Sequence, residues 1–478
     1  FVQGGLGGWV IYNKSLPIAP LALTIEADER IGARGEVVRK LDEAKLRRDL
    51  KALSKKGIEA LTISLINSFA NGDHETQVAK IAKEVMPNIP ISLSSEIVPE
   101  MQEYERTITT VANSYVRPKV ETYVRNLHRQ LQKTMSKVQL HILRSDGGLA
   151  SAKAAEAFPV NLLMSGPAGG VSGAVWVAQQ AGFKNLLTFD MGGTSTDVCL
   201  VEDGKAQLRR ETTVGDVVVR ASSVDVRTVG AGGGSIAKVP ELTKALRVGP
   251  ESAGAVPGPA AYNRGGTLPT VTDANVVLGY LPSGEVRLGG DMKVRRDLAE
   301  KAVQSIADAL RLSLKQAASG IIDIVNENMY GALRLVSVEK GYDPRDFALI
   351  AFGGAGPLHA NAIGKLMNSW PVIIPPGPGV LCAYGDATTR VRDEASRTFI
   401  RRFSETTNKE VSKIFRALAS DASKALDNEG IAKADQSASY QVDIRYHGQG
   451  LLLTVDFTID EFEQRGLDVI GERFDEMH

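Results

Sequence analysis

The sequence predicts an α/β architecture from three observations. Leu186-Leu187-Thr188-Phe189-Asp190-Met191-Gly192-Gly193-Thr194-Ser195-Thr196-Asp197-Val198-Cys199-Leu200-Val201 reads as strand, tight glycine turn and returning strand, closed by Gly204. Phe347-Ala348-Leu349-Ile350-Ala351-Phe352 is a continuous apolar run, the pattern of a parallel strand buried on both faces; Gly353-Gly354-Ala355-Gly356-Pro357 then opens a helix. Over residues 1–95, strand-length apolar runs alternate with helical periodicity.

Composition narrows the function classes. With 478 residues the chain has room for about three domains of ~150 residues. Lys+Arg and Asp+Glu balance at 56 each, so no global field draws in nucleic acid or an anionic membrane. Cys199 and Cys382 are too few for a disulfide framework, which suits a reducing, cytoplasmic setting. No apolar run reaches the ~18 residues of a membrane span. The first twenty residues do not read as a signal peptide, and the last nine break off within a helical pattern.

Taken in order, Leu21–Glu26 reads as a strand, Asp42–Lys56 as a helix before Gly57, Ala60–Leu65 as a buried strand and Glu75–Val85 as a helix. His74 is expected on the surface at that helix's start. Glu100–Lys133 is helical with an interruption at Pro118, and Val138–Leu143 is a strand running into Arg144-Ser145-Asp146-Gly147-Gly148. Ser165-Gly166-Pro167-Ala168-Gly169-Gly170 opens a small-residue helix; its glycines suit either an anion site or close packing. Thr228–Ile236 is a second dense glycine cluster, and the Gly- and Pro-rich Val248–Gly289 reads as ordered loop, with Thr272-Asp273-Ala274-Asn275 starting a short helix. Residues 296–340 read as two helices divided near Ser319-Gly320. Val372–Pro376 is a short strand, Gly377–Gly385 a turn. From about residue 395 the pattern changes to a helix (Asn408–Leu426) and two strands meeting at His447-Gly448-Gln449-Gly450.

The central turn carries the chemistry. Gly192 and Gly193 let backbone amides approach a ligand, and Thr194, Ser195 and Thr196 add hydroxyls. Asp190 and Asp197 are hard oxygen donors suited to Mg²⁺ or its waters. Donors for phosphate beside carboxylates for magnesium are what a nucleotide site needs, although an ordinary polar hairpin turn has the same composition. Asp225 and Arg227 lie next to Gly232 and Gly233 in the second cluster. No Ser-His-Asp, HExxH or Cys–His signature is present, so unassisted hydrolysis is disfavoured.

The hairpin resembles the phosphate loops of the actin/Hsp70/sugar-kinase (ribonuclease H-like) ATPases. That resemblance implies an ATPase core with an additional C-terminal α+β domain, places phosphate and Mg²⁺ at Asp190, Gly192, Gly193 and Thr194, and places adenosine at Gly353, Gly354 and Gly356. Residues 165–170, 189–198, 228–236, 272–275, 334–347, 351–360 and 445–449 are similar to the hydantoinase A/oxoprolinase family, over nearly the whole chain. The resemblance implies ATP-dependent opening of a cyclic amide such as 5-oxoproline or a hydantoin, with Asp190 and Asp225 as catalytic carboxylates and Asp190 and Asp197 on the metal. It further implies a hydantoinase B-type subunit or fused domain as partner, in an oligomer. Alternatives are the ATP-using subunit of an acetone- or acetophenone-type carboxylase and a non-catalytic nucleotide-binding module. The family's first Asp-x-Gly-Gly-Thr loop is missing, so a chain truncated at both ends is expected. Its parts would be a remainder of the N-terminal domain (1–95), the core ATPase domain (96–392) and the start of a C-terminal domain (393–478).

Overall fold

The computed structural model describes residues 16–284, 287–288, 292–450 and 452–478; residues 1–15, Gly289 and Leu451, which enter three of the readings above, lie outside it. In chain order the elements used below are α1 (Glu43–Ser54), β1 (Leu61–Ile63), α2 (Asp73–Val85), β2 (Ile91–Leu93), α3 (Glu103–Thr134), β3 (His141–Leu143), β4 (Leu149–Ser151), α4 (Ala152–Ala157) and α5 (Ser165–Gln180). There follow β5 (Leu186–Met191), β6 (Thr196–Glu202), β7 (Arg227–Val229), β8 (Ser235–Lys238), β9 (Arg247–Ser252), α6 (Val271–Leu278), α7 (Arg296–Leu310) and α8 (Leu314–Val336). The chain ends with β10 (Ala348–Phe352), α9 (Gly356–Met367), β11 (Val372–Ile373), α10 (Leu381–Thr388), α11 (Asn408–Asn428), β12 (Tyr440–Ile444), β13 (Leu453–Phe457), α12 (Ile459–Arg465) and α13 (Leu467–Met477).

The central sheet has the order β7-β6-β5-β10-β11, with the short strand Lys205–Ala206 added on β6. β5 and β6 form an antiparallel hairpin, whereas β10 runs parallel to both β5 and β11. Alternation along β5 and β10 explains their unbroken apolar runs. Leu187, Phe189, Met191, Leu349 and Ala351 join a core with α6, α7, α8 and α9. Leu186, Ala348, Ile350 and Phe352 join a second core, with α5 and Leu381 of α10, on the other face. Each fully buried Leu, Ile or Phe there contributes roughly 1.5–3 kcal/mol.

The small residues of α5 serve packing. A Cβ on Gly173 would lie 2.4 Å from the Leu381 carbonyl oxygen, and one on Gly385 1.9 Å from that of Gly169. The two backbones therefore touch, and any side chain at either position would force α5 and α10 apart. Residues 46–93 build a separate core of α1, α2, β1 and β2, and residues 411–474 build another from α11–α13 and the β12–β13 hairpin.

Several expectations are corrected. Leu21–Glu26 holds a single 3-10 turn, Leu21–Leu23, in place of a strand. α3 runs through Pro118, because the buried residues Ala112–Ser114 and Val124 pack it on both sides and outweigh a local cost of ~3 kcal/mol. The break between α7 and α8 falls at Arg311, whose φ is 57°, and at the Ser313–Gln316 capping box; Gly320 sits inside α8. Gly377–Gly385 is mostly helix, a 3-10 turn (Pro378–Val380) leading into α10. His74 is 3% exposed, with Nδ1 2.6 Å from Glu29 Oε2 of the segment ahead of α1.

Asp273 ties the Gly/Pro-rich segment to α6. Its carboxylate accepts from the amides of Ala261 (2.7 Å), Thr270 (2.9 Å) and Ala260 (3.3 Å) and from the Thr270 hydroxyl (2.7 Å). It is fully buried; burial raises its pKa, and these hydrogen bonds oppose the rise. Asp273→Ala strands four donors, so a loss of about 3 kcal/mol is expected in denaturant unfolding. A loss below about 1 kcal/mol contradicts this role.

Candidate functional site

Three glycine segments meet at one edge of the sheet, beyond the C-terminal ends of β5 and β10, where α/β proteins place ligands. The β5–β6 turn, residues 192–195, closes on itself through the Gly192 amide, which donates to the Ser195 carbonyl at 3.0 Å. The second cluster lies against it: Gly233 N–H donates to Gly192 O (3.0 Å) and Gly234 N–H to Gly193 O (2.6 Å). A Cβ on Gly232 would come within 2.6 Å of the Thr194 carbonyl carbon, so only glycine allows this contact. Thr272 of α6 clamps the far side, donating its amide (2.7 Å) and hydroxyl (2.8 Å) to Gly233 O.

The third segment is the β10–α9 turn. Ala355 N–H donates to Met191 O at 2.9 Å, and Gly353, with φ 80°, leaves no room for a Cβ, which would sit 2.3 Å from Asp190 Oδ1. Pro357 occupies the first turn of α9, as its missing N–H permits.

This frame leaves a particular set of donors free. Among the described residues the amides of Gly193, Thr194 and Ser195 make no hydrogen bond, and Gly193 and Thr194 are exposed. Successive unpaired amides on one turn form an anion-binding concavity. The Thr194 hydroxyl accepts from Ser252 Oγ at 3.4 Å, linking the turn to β9.

Asp190 and Asp197 stand directly opposite each other on β5 and β6. Burial, and then the charge of Asp197, push the Asp190 carboxyl up to about 6. Burial raises Asp197 as well, opposed by the hydrogen bond it accepts from the Thr228 hydroxyl of β7. Neither carboxylate has a cationic partner among the described residues; the Cys382 thiol lies 4.0 Å from Asp190 Oδ2. Two facing, half-buried carboxylates without a cation suit a hard divalent ion. No group of three or more His, Cys, Asp or Glu could hold a metal among the described residues, so the protein offers part of a coordination shell. Mg²⁺ ordinarily fills the rest with water and phosphate oxygens.

Other expected residues are placed differently. Thr196 is fully buried and donates its hydroxyl to the Ala231 carbonyl, so it fastens the hairpin to the second cluster and does not face a ligand. Gly232 and Gly233 are buried with their amides engaged, by Ser235 Oγ (2.8 Å) and Gly192 O, and act as spacers. Asp225 is held between Lys340 and Arg209. It lies three residues before Thr228, roughly 10 Å along an extended chain, and no described contact joins it to the turn; two cations hold it as an anchor. His359, which the sequence puts in the first turns of the helix after Gly356 with packing favoured over ligand contact, is buried: its Nδ1 lies 2.8 Å from Asn326 Oδ1 and its Nε2 3.3 Å from the Asn275 amide, and burial lowers its pKa to about 4.

A glycine-lined hairpin with paired aspartates, beside a parallel strand and its glycine turn, defines a mixed α/β core with its glycine turns gathered at one sheet edge. The chain belongs to the hydantoinase/oxoprolinase family: the family description Hydantoinase/oxoprolinase matches residues 106–395, and the Hydantoinase/oxoprolinase N-terminal region matches residues 9–86. It is 33% identical to caprolactamase subunit alpha of Pseudomonas jessenii, over 98% of this chain and 68% of that protein. It is 35% identical to the acetophenone carboxylase gamma subunit of Aromatoleum aromaticum, over 92% of this chain and 61% of that one. The crystal structure of the ATP-dependent caprolactamase superposes with a TM-score of 0.82 at 32% identity, covering 94% of this chain and 66% of the other. The chain thus spans about two thirds or less of these relatives. No helix among the described residues is long and apolar enough to cross a membrane.

The Asp190 carboxyl titrates near 6 folded and near ~3.9 unfolded. The folded state therefore binds the proton more tightly, and this contribution to stability is complete below pH ~4 and lost as pH rises through about 6. Without metal, Asp190→Asn is expected to be more stable than the parent at pH 8, by on the order of 1–2 kcal/mol after allowance for solvent screening, and equal to it at pH 4. Melting temperatures across that range check it; a variant less stable at pH 8 contradicts it.

Proposed function

We propose that this chain forms the ATP-using part of an enzyme that opens a cyclic amide of the 5-oxoproline, hydantoin or caprolactam kind. The observation that carries the proposal is the exposed turn with three unpaired amides beside the Asp190–Asp197 pair. A lactam carbonyl is a poor electrophile because its amide is resonance-stabilised. Transfer of the γ-phosphate to its oxygen, with ADP leaving, makes the ring carbon electrophilic; water adds there, the ring C–N bond breaks as the nitrogen takes up a proton, and a second water releases inorganic phosphate from the acyl phosphate. In this reading the amides of Gly193, Thr194 and Ser195 hold and orient the transferring phosphate, and Gly353, Gly354 and Gly356 of the β10–α9 turn take the nucleoside. Asp190 and Asp197 would hold Mg²⁺, which supplies charge neutralisation for the phosphates. Asp197, fixed by Thr228, is the more structural of the two; Asp190 is the freer to act on the reaction. A hydantoinase B-type subunit or fused domain completes the hydrolysis, in an oligomeric assembly.

A second reading, the ATP-using subunit of a ketone carboxylase, draws on the 35% identity to the acetophenone carboxylase gamma subunit. The phosphate chemistry is the same in both, so the acceptor decides. ADP release by the full-length protein with its partner subunit is measured with 5-oxoproline, hydantoin, caprolactam, or ketone plus bicarbonate. Stimulation by a cyclic amide, with kcat reduced by roughly 10² or more in Asp190→Asn, is the expected result. Stimulation by ketone and bicarbonate alone moves the chain to the second reading, and stimulation by none rejects both.

A further inference from the structure

A second polar cleft lies away from the nucleotide turn, where the 46–93 unit meets α3 and α4. It has a volume of about 390 Å³, and its walls include Lys80 and Lys83 of α2, Ser92 of β2, Glu96, Arg117 of α3 and Phe158. Three cations and one carboxylate leave it net positive. Lys80 and Lys83 sit three residues apart on one helix face, and neither pairs with a carboxylate among the described residues.

The floor is built more firmly than the lysines suggest. Arg117 Nη1 donates to the Ile91 carbonyl at 2.6 Å, fixing the guanidinium, yet its Nε is buried with no acceptor. Ser92 is 2% exposed, and its Oγ accepts from Asn113 Nδ2 at 3.0 Å and from Arg117 Nη1 at 3.5 Å. Buried donors without acceptors are uncommon in folded proteins. Here one, the Arg117 Nε–H, belongs to a residue that lines the cleft together with Lys80 and Lys83.

We infer that this cleft is a binding site for a small anion, a carboxylate or phosphate, held by Arg117 and the Ser92 hydroxyl at the floor and by Lys80 and Lys83 at the rim. The volume admits a compact metabolite, at the small end of ligand sites. Phe158 supplies one apolar wall, and Glu96 disfavours anions that reach its side. The site is separate from the nucleotide turn, and the inference does not depend on the proposed function.

The test is a thermal-shift titration with inorganic phosphate in one arm and succinate in the other, at constant ionic strength and with excess ATP present. The parent is compared with Lys80→Gln/Lys83→Gln and with Arg117→Gln. One arm should give a saturable rise in melting temperature, which identifies the anion, and the double lysine variant should weaken the apparent Kd at least tenfold. Because both lysines are exposed, that variant reports even if Arg117→Gln folds poorly. No saturable shift in either arm, or an equal shift in the lysine variant, overturns the inference. A failure of ATP to bind elsewhere leaves the comparison of parent and lysine variant unchanged.

Discussion

The structure depends on backbone meeting backbone without side chains between. The turn at 192–195 is held from below by Gly232–Gly234 and from beside by Gly353–Ala355 through hydrogen bonds of 2.6–3.0 Å. A methyl group at Gly232 or Gly353 would lie 2.3–2.7 Å from its neighbours, closer than real Cβ atoms come. Because the turn gives the carbonyls of Gly192 and Gly193 to the amides of Gly233 and Gly234, its own amides at Gly193, Thr194 and Ser195 stay unpaired among the described residues. The arrangement therefore fixes both the shape of the turn and its polarity.

The two-sided core sets where this contact occurs. Because β5 and β10 are parallel neighbours with both faces covered, their C-terminal ends coincide and their following turns are brought side by side. The hairpin return through β6 then sets Asp197 opposite Asp190 at the same edge. Burial raises both carboxyls, and the charge of Asp197 raises Asp190 further, while the Thr228 hydroxyl opposes the rise at Asp197.

Much of this was legible in the sequence. The glycine pair between apolar runs, and the unbroken run before Gly353, located the hairpin, the parallel strand and their two turns. What failed was what local pattern cannot report. Thr196 follows two hydroxyl residues that reach the surface, but strand alternation turns it inward to Ala231. Asp225 is near the second glycine cluster in sequence, while strand rise carries it away toward Lys340. His74 is buried by a segment 45 residues earlier, and Pro118 is tolerated because packing on both sides holds α3 straight through it. Gly320 drew the expected boundary, which falls instead at Arg311 and the Ser313–Gln316 capping box, since a helical glycine and a helix end look alike without the packed face.

The central claim is that the amides of Gly193, Thr194 and Ser195 are donors held ready for phosphate. Amide hydrogen exchange resolved to those residues, with and without saturating Mg–ATP, tests it most directly. The account predicts rapid exchange in the free protein and protection of at least tenfold on ATP addition, with the already bonded amides of Gly233 and Gly234 little changed. Unaltered exchange at 193–195 under saturating nucleotide would contradict it.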